Sequence, residues 1–219
     1  MTLRLFLDSA DPAHWQQWLP SGLFHGVTTN PTLLRRAGQP CSLERLAQLS
    51  RTALAHGIEE LQLQAWGGSA AAMRECGEAL AALAPGRIVV KLPVTRQGAA
   101  VARELLGEGI PVTFTACYEP HQVLIAAALG VRYIAPYLGR ICDQGRDGQA
   151  DVIAMQRSLK GLRSPVRLLV ASLRRTEELS RLTAAGLDTF TINPELAAAL
   201  FGCDATQAAS DRFESDATT

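Results

Sequence analysis

Eight short apolar or β-branched runs punctuate the chain, at 3–7 (LRLFL), 24–29 (FHGVTT), 60–64 (ELQLQ), 87–92 (RIVVKL), 111–115 (PVTFT), 132–137 (RYIAPY), 166–172 (VRLLVAS) and 188–192 (DTFTI). Between them lie Ala- and Leu-rich stretches such as 42–56, 69–83 and 97–107, whose apolar positions fall three and four apart and predict helices. Glycines near the ends of such stretches, among them Gly57, Gly86, Gly130, Gly161 and Gly186, supply stops. A helix between successive strands leaves no place for hairpins, so the strands should run parallel. Eight such repeats predict closure into a single (β/α)8 TIM barrel of the α/β class. An open doubly wound sheet would want a glycine-rich turn after the first strand, and LDSADPAHW has none. No linker or low-complexity tract interrupts the pattern before the polar end of the chain. The expected organisation is therefore a barrel domain over 1–201 and a C-terminal helix and polar tail over 202–219, the tail being placed for a subunit contact.

Composition narrows the picture further. A chain of 219 residues buries enough surface to fold as one domain without a staple. With 21 basic and 21 acidic residues the formal net charge is zero, which offers no field for nucleic acid or an anionic membrane and favours a small ligand. The five cysteines are scattered, with no C-x-x-C pair and no neighbouring histidine cluster, so they are expected to be reduced thiols rather than a metal site. No apolar run approaches the roughly 20 residues that span a bilayer, and the N-terminal segment lacks a signal-peptide core. A cytoplasmic protein is expected.

Only two of the 21 basic residues are lysines. Lys160 ends a polar helical stretch, where a cation complements the helix dipole. Lys91 stands inside the apolar run RIVVKL, where an ammonium is costly unless it is paired or deprotonated. A buried ion pair is the bland use of such a residue; a reactive amine, made neutral by desolvation, is the sharper one.

In parallel barrels the chemistry gathers at the C-terminal ends of the strands. Read off in order, those ends give Asp8, then Thr28, Thr29 and Asn30, then Gln64, Lys91 and Thr115, then Tyr137 followed by Arg140, and Ser172 followed by Arg174. On one face they would surround a single cavity. Each also has an ordinary use: Asp8 or Asn30 as a helix cap, Gln64 as a satisfied buried amide, Tyr137 as a half-buried strand tyrosine, the arginines as surface ions.

The segments LDSA (7–10), GVTTNPTLL (26–34), VVKLPVT (89–95), TFTACY (113–118), IAPYLGRI (134–141) and VASLR (170–174) together resemble the transaldolase family, in particular its small fructose-6-phosphate aldolase-like branch. The resemblance runs from the first strand to about residue 201. It implies that Lys91 forms a Schiff base with a ketose carbonyl, that Asp8 and Asn30 bind the dihydroxyacetone unit, and that Thr28 and Thr115 line this site. It implies further that Arg140, Ser172 and Arg174 hold a substrate phosphate. Gln64 and Tyr137 match the pair typical of the aldolase branch, where a phenol moves the proton and an amide helps hold water. The implied activity is a class I lyase that makes or cleaves fructose 6-phosphate from dihydroxyacetone and glyceraldehyde 3-phosphate. Transfer of the three-carbon unit between sugar phosphates, in the pentose phosphate pathway, is the alternative. A sugar-phosphate-binding protein without turnover is a third reading, against which Lys91, Tyr137, Gln64 and Asp8 stand together.

No metal or organic cofactor is implied, the partners are small sugar phosphates, and a homo-oligomer, pentamer or decamer, is the assembly the resemblance suggests. Three positions depart from the pattern or stand close to it: Gly139, where asparagine is frequent, Leu173, where phenylalanine is frequent, and Trp66, which follows Gln64 and is expected to narrow the pocket.

Overall fold

Each of the eight apolar runs forms a strand in the computed structural model, which describes residues 2–218. The strands are β1 (Arg4–Asp8), β2 (Gly26–Thr28), β3 (Glu60–Gln64), β4 (Ile88–Pro93), β5 (Val112–Cys117), β6 (Tyr133–Pro136), β7 (Arg167–Leu168) and β8 (Thr189–Ile192). Helices α1 (Pro12–Trp18), α2 (Pro31–Arg36), α3 (Leu43–Ala55), α4 (Ala70–Ala82), α5 (Arg96–Gly107) and α6 (Gln122–Leu129) follow the strands in turn. After β6 come α7 (Leu138–Asp143) and α8 (Gly148–Gly161), and after β7 and β8 come α9 (Thr176–Ala184), α10 (Pro194–Ala199) and α11 (Asp204–Ala217). Local chemistry sets many of the starts. Asp11, Asn30, Ser42, Ser69, Thr95, Asp147 and Asn193 each accept a backbone N–H of the helix they begin, a cap whose loss costs about 1 kcal/mol.

All pairings are parallel, in the order β7-β6-β5-β4-β3-β2-β1-β8. The last seam is closed beyond the short β7 ladder, by a bridge between Val170 and Phe190 with bonds of 3.0 Å from Val170 N to Thr189 O and 2.9 Å from Thr191 N to Val170 O. Sequence reading gives a strand over 166–172, whereas only Arg167–Leu168 makes a regular ladder. The chain has to serve β6 on one side and β8 on the other, and it ends at Ser172 in a left-handed conformation with φ of 60°.

Strand alternation divides the core in two. Leu5, Leu7, Leu61, Leu63, Val90 and Leu92 face the helices, while Phe6, Val89, Tyr133, Ala135 and Leu169 form a separate cluster inside the barrel. Gly26 makes room for the latter, since a Cβ there would stand 2.9 Å from Phe6 Cε1 and would run into the Glu60 carbonyl oxygen. The interior also holds polar side chains that bond across it: Thr113 Oγ1 donates to Gln62 Oε1 at 2.9 Å, two strands away, a bond available only through the lumen. At the N-terminal mouth Glu60 Oε1 accepts from Arg4 (3.2 Å), His25 (3.0 Å) and Tyr133 (2.8 Å).

Beyond the barrel, α11 has no buried residue, and its Phe213 is 70% exposed. Among the described residues no helix is long and apolar enough to cross a membrane.

Candidate active site

At the opposite, C-terminal mouth a cavity of about 240 Å³ opens among the strand ends. Its wall includes Asp8, Asn30, Lys91, Tyr137, Arg140, Ser172 and Arg174, so seven of the ten residues to which the family resemblance gives a role meet in one place. The other three stand behind or beside it. Thr28 is fully buried and donates to Asp8 Oδ1 at 2.6 Å, fixing the carboxylate. Thr115 shares a 2.6 Å hydrogen bond with the Tyr137 phenol. Gln64 pairs in register with Lys91 on the adjoining strand and is not part of the wall. Trp66, expected to narrow the pocket, packs instead against the helix-side core.

Lys91 is 4% exposed, and its Nζ donates to the Thr29 carbonyl at 3.1 Å. Burial pushes its pKa down from the ordinary lysine value, and the negative charge of Asp8 only partly opposes this. The amine is therefore held by a neutral acceptor. A deprotonated Nζ in that bond keeps its lone pair for an electrophile.

Asp8 does not cap α1, a role taken by Asp11, whose carboxylate accepts Ala13 N. Asn30, by contrast, does two jobs: its Oδ1 caps α2 through Leu33 N at 3.0 Å while the residue lines the cavity.

The arginines differ in state. Arg140, in the first turn of α7, lies over the Tyr137 ring with Cζ 4.6 Å from its centre, and its Nη1 donates to the Tyr118 hydroxyl at 3.4 Å. Arg174 makes a forked pair with Asp143 at 2.8 and 2.6 Å, with both side chains more than half exposed. An anion in the cavity would compete with that carboxylate for the guanidinium. Ser172 completes this corner, and Gly139 N donates to its carbonyl at 3.0 Å. A Cβ at Gly139 would lie 2.5 Å from Ser172 O and 2.8 Å from Arg174 Nε, so the departure at this position lets the two chain segments close up. Leu173 is buried on the same wall.

Sequence reading missed Thr191, Asn193 and Arg36, all on the wall. Thr191 bonds Thr28 at 2.5 Å, and it follows Thr189 at the two-residue strand period with Asn193 next, so carrying the strand-end reading on to the eighth run would have found both. Arg36 belongs to α2, where no strand-end rule reaches. Among the described residues no group of three His, Cys, Asp or Glu side chains is placed to hold a metal ion.

Comparison with known proteins matches the family described as Transaldolase/Fructose-6-phosphate aldolase over residues 5–219. A relative in Phenylobacterium zucineum (strain HLK1), named "Probable transaldolase", is 33% identical over 216 residues, which is 98% of this chain and 96% of that protein. Another of the same name, in Caulobacter sp. (strain K31), is 34% identical over 214 residues with the same coverages. The solved structure titled "Native KDPGal structure" superposes with a TM-score of 0.60 at 14% identity, covering 88% of this chain and 82% of that one, a likeness of fold.

Proposed function

Because the chain belongs to the transaldolase/fructose-6-phosphate aldolase family, we propose that it cleaves and forms fructose 6-phosphate through a Schiff base on Lys91. The observation that carries this reading is a buried amine bonded to a carbonyl rather than to a carboxylate, in a cavity that also holds a phenol and two arginines.

Neutral Lys91 Nζ attacks the ketose C2 carbonyl, and loss of water leaves an iminium. Its positive nitrogen takes the electron pair of the C3–C4 bond when the C4 hydroxyl loses its proton. Tyr137, whose phenol is oriented by Thr115, carries that proton through water. The bond breaks to give glyceraldehyde 3-phosphate and an enamine. Protonation at C3 and hydrolysis of the regenerated iminium, with Gln64 beside Lys91 helping to hold the water, release dihydroxyacetone and the free amine. Asp8 and Asn30 orient the hydroxyls of the three-carbon unit, and Arg140, Arg174 and Ser172 take the phosphate.

The names of the relatives favour a second reading, in which the enamine waits for another aldose phosphate and the enzyme is a transaldolase. Incubation with fructose 6-phosphate and no acceptor separates the two. The aldolase reading expects free dihydroxyacetone in step with glyceraldehyde 3-phosphate. Glyceraldehyde 3-phosphate that stays at the background level until erythrose 4-phosphate is added, and then appears without free dihydroxyacetone because the unit is passed on, replaces it with transaldolase.

A further inference from the structure

Strand β5 carries an irregularity that changes which side chains reach the mouth of the barrel. Its register against β6 shifts between Phe114 and Cys117, and Ala116 between them has φ of 57°, as in a bulge. Up to that point the alternation sends Thr113 and Thr115 inward. One extra residue reverses the parity, so Cys117 is fully buried among the helix-facing residues and Tyr118 turns over the catalytic end. Bulges next to active sites characteristically re-aim a side chain in this way.

The re-aimed side chain meets two residues of the cavity wall. The Tyr118 ring stands edge-on to Tyr137, with centroids 5.6 Å apart and planes at 77°. Its hydroxyl accepts from Arg140 Nη1 at 3.4 Å, and Arg140 in turn covers the Tyr137 ring. Three side chains thus close a triangle around the phenol. Tyr118 is pinned from behind: its N–H donates to Gln122 Oε1 at 2.8 Å and its carbonyl accepts from Arg146 Nη1 at 3.1 Å. Arg146 is itself tied to Glu119 and Asp151. Tyr118 lies outside the cavity lining, so it acts through its neighbours and not on a ligand.

We infer that Tyr118 is a positioning residue, which holds Arg140 over the Tyr137 ring so that the anion-binding guanidinium and the proton-carrying phenol address the same ligand. The inference rests on the proposed assignment of Arg140 to the substrate phosphate. Arg140 has no other side-chain hydrogen-bond acceptor among the described residues, so without the Tyr118 hydroxyl only the ring contact is left to hold its guanidinium in place. Ordering it then has to be done at the moment of binding.

The test uses dihydroxyacetone as donor and compares glyceraldehyde 3-phosphate with glyceraldehyde as acceptors. Tyr118→Phe keeps the ring contact and removes only the hydroxyl. It is expected to raise KM for the phosphorylated acceptor roughly threefold to tenfold, in keeping with the net worth of one ordinary hydrogen bond, and to leave kcat and the KM for glyceraldehyde unchanged. Tyr118→Leu removes the edge contact too, and should lower kcat with both acceptors. In an Arg140→Ala background Tyr118→Phe should add nothing, because the residue through which it works is gone.

Full additivity in that background would overturn the inference, as would an unchanged KM for glyceraldehyde 3-phosphate or an equal loss with both acceptors in Tyr118→Phe. If Arg140→Ala itself fails to discriminate between the acceptors, the phosphate assignment falls and this inference with it. A phosphate-selective Arg140→Ala beside a silent Tyr118→Phe overturns the positioning role alone.

Discussion

Lys91 is legible in the sequence because arginine does nearly every other cationic job in this chain, and an apolar strand is a costly place for the exception. Its partner is not legible there, since the Thr29 carbonyl and the Thr28 hydroxyl that engages Asp8 come from a different strand. That arrangement has a consequence for stability. The folded-state pKa of Lys91 lies below its unfolded value, so as pH falls below the unfolded value the unfolded chain binds a proton that the folded one resists. Its contribution is unfavourable there and worsens as pH falls toward the depressed value. Lys91→Met, of similar length and without the amine, should therefore raise Tm by about 2–4 °C for each kcal/mol relieved. The gain should grow from pH 9 to pH 7 while activity disappears, and thermal unfolding at the two pH values checks both sign and trend. Arg36 marks the limit of residue-level reading. Its place on the wall follows from the direction in which α2 leaves β2, and no local pattern encodes that direction.

At the level of elements, alternation carries most of the information. Glu60, Gln62 and Gln64 fall on one face of β3 and Leu61 and Leu63 on the other, which is why a strand so rich in polar residues can be central to the barrel. The bulge at Ala116 is hidden, since alanine gives no sign of a left-handed conformation, and with it goes the placement of Tyr118. The short β7 is hidden for a related reason: 166–172 reads as a uniform apolar run, and the kink at Ser172 comes from barrel closure.

The same strand logic makes a prediction at the closed end. Burial works to raise the Glu60 carboxyl, yet hydrogen bonds from His25 and Tyr133 and the charge of Arg132 outweigh it and hold the group below the usual carboxylate range. A depressed carboxyl stabilises the fold above its unfolded value, and the stabilisation is lost as pH falls through the folded one. Glu60→Gln keeps an acceptor oxygen but removes the negative charge on which Arg4, His25 and Tyr133 converge. It should cost about 2–4 kcal/mol near neutral pH, short of the full penalty for a broken buried pair because Arg4 and Arg132 still reach water. It should also flatten the acid limb of the stability curve below pH 5. Urea denaturation across that range measures both effects, and an unchanged acid limb would remove Glu60 as its cause.

The molecule as a whole separates its tasks by the two ends of one barrel. The N-terminal mouth is closed by Tyr133, Arg4 and Glu60, and the C-terminal mouth gathers Lys91, Tyr137 and the arginines around open space. Eight parallel strands allow this because their C-terminal ends meet at one mouth, so residues far apart in sequence, from Asp8 to Asn193, become neighbours. Everything proposed for the reaction depends on one bond between Lys91 and a carbonyl carbon. Borohydride reduction in the presence of fructose 6-phosphate, followed by peptide mass analysis, reads that bond directly, because hydride converts the imine to a stable secondary amine. The account predicts a ketose- or dihydroxyacetone-derived adduct on the peptide containing Lys91, none on Lys160, and none in a folded Lys91→Arg variant, whose guanidinium stays protonated and cannot attack. An unmodified Lys91 in the wild-type protein, or an adduct that survives Lys91→Arg, would contradict it.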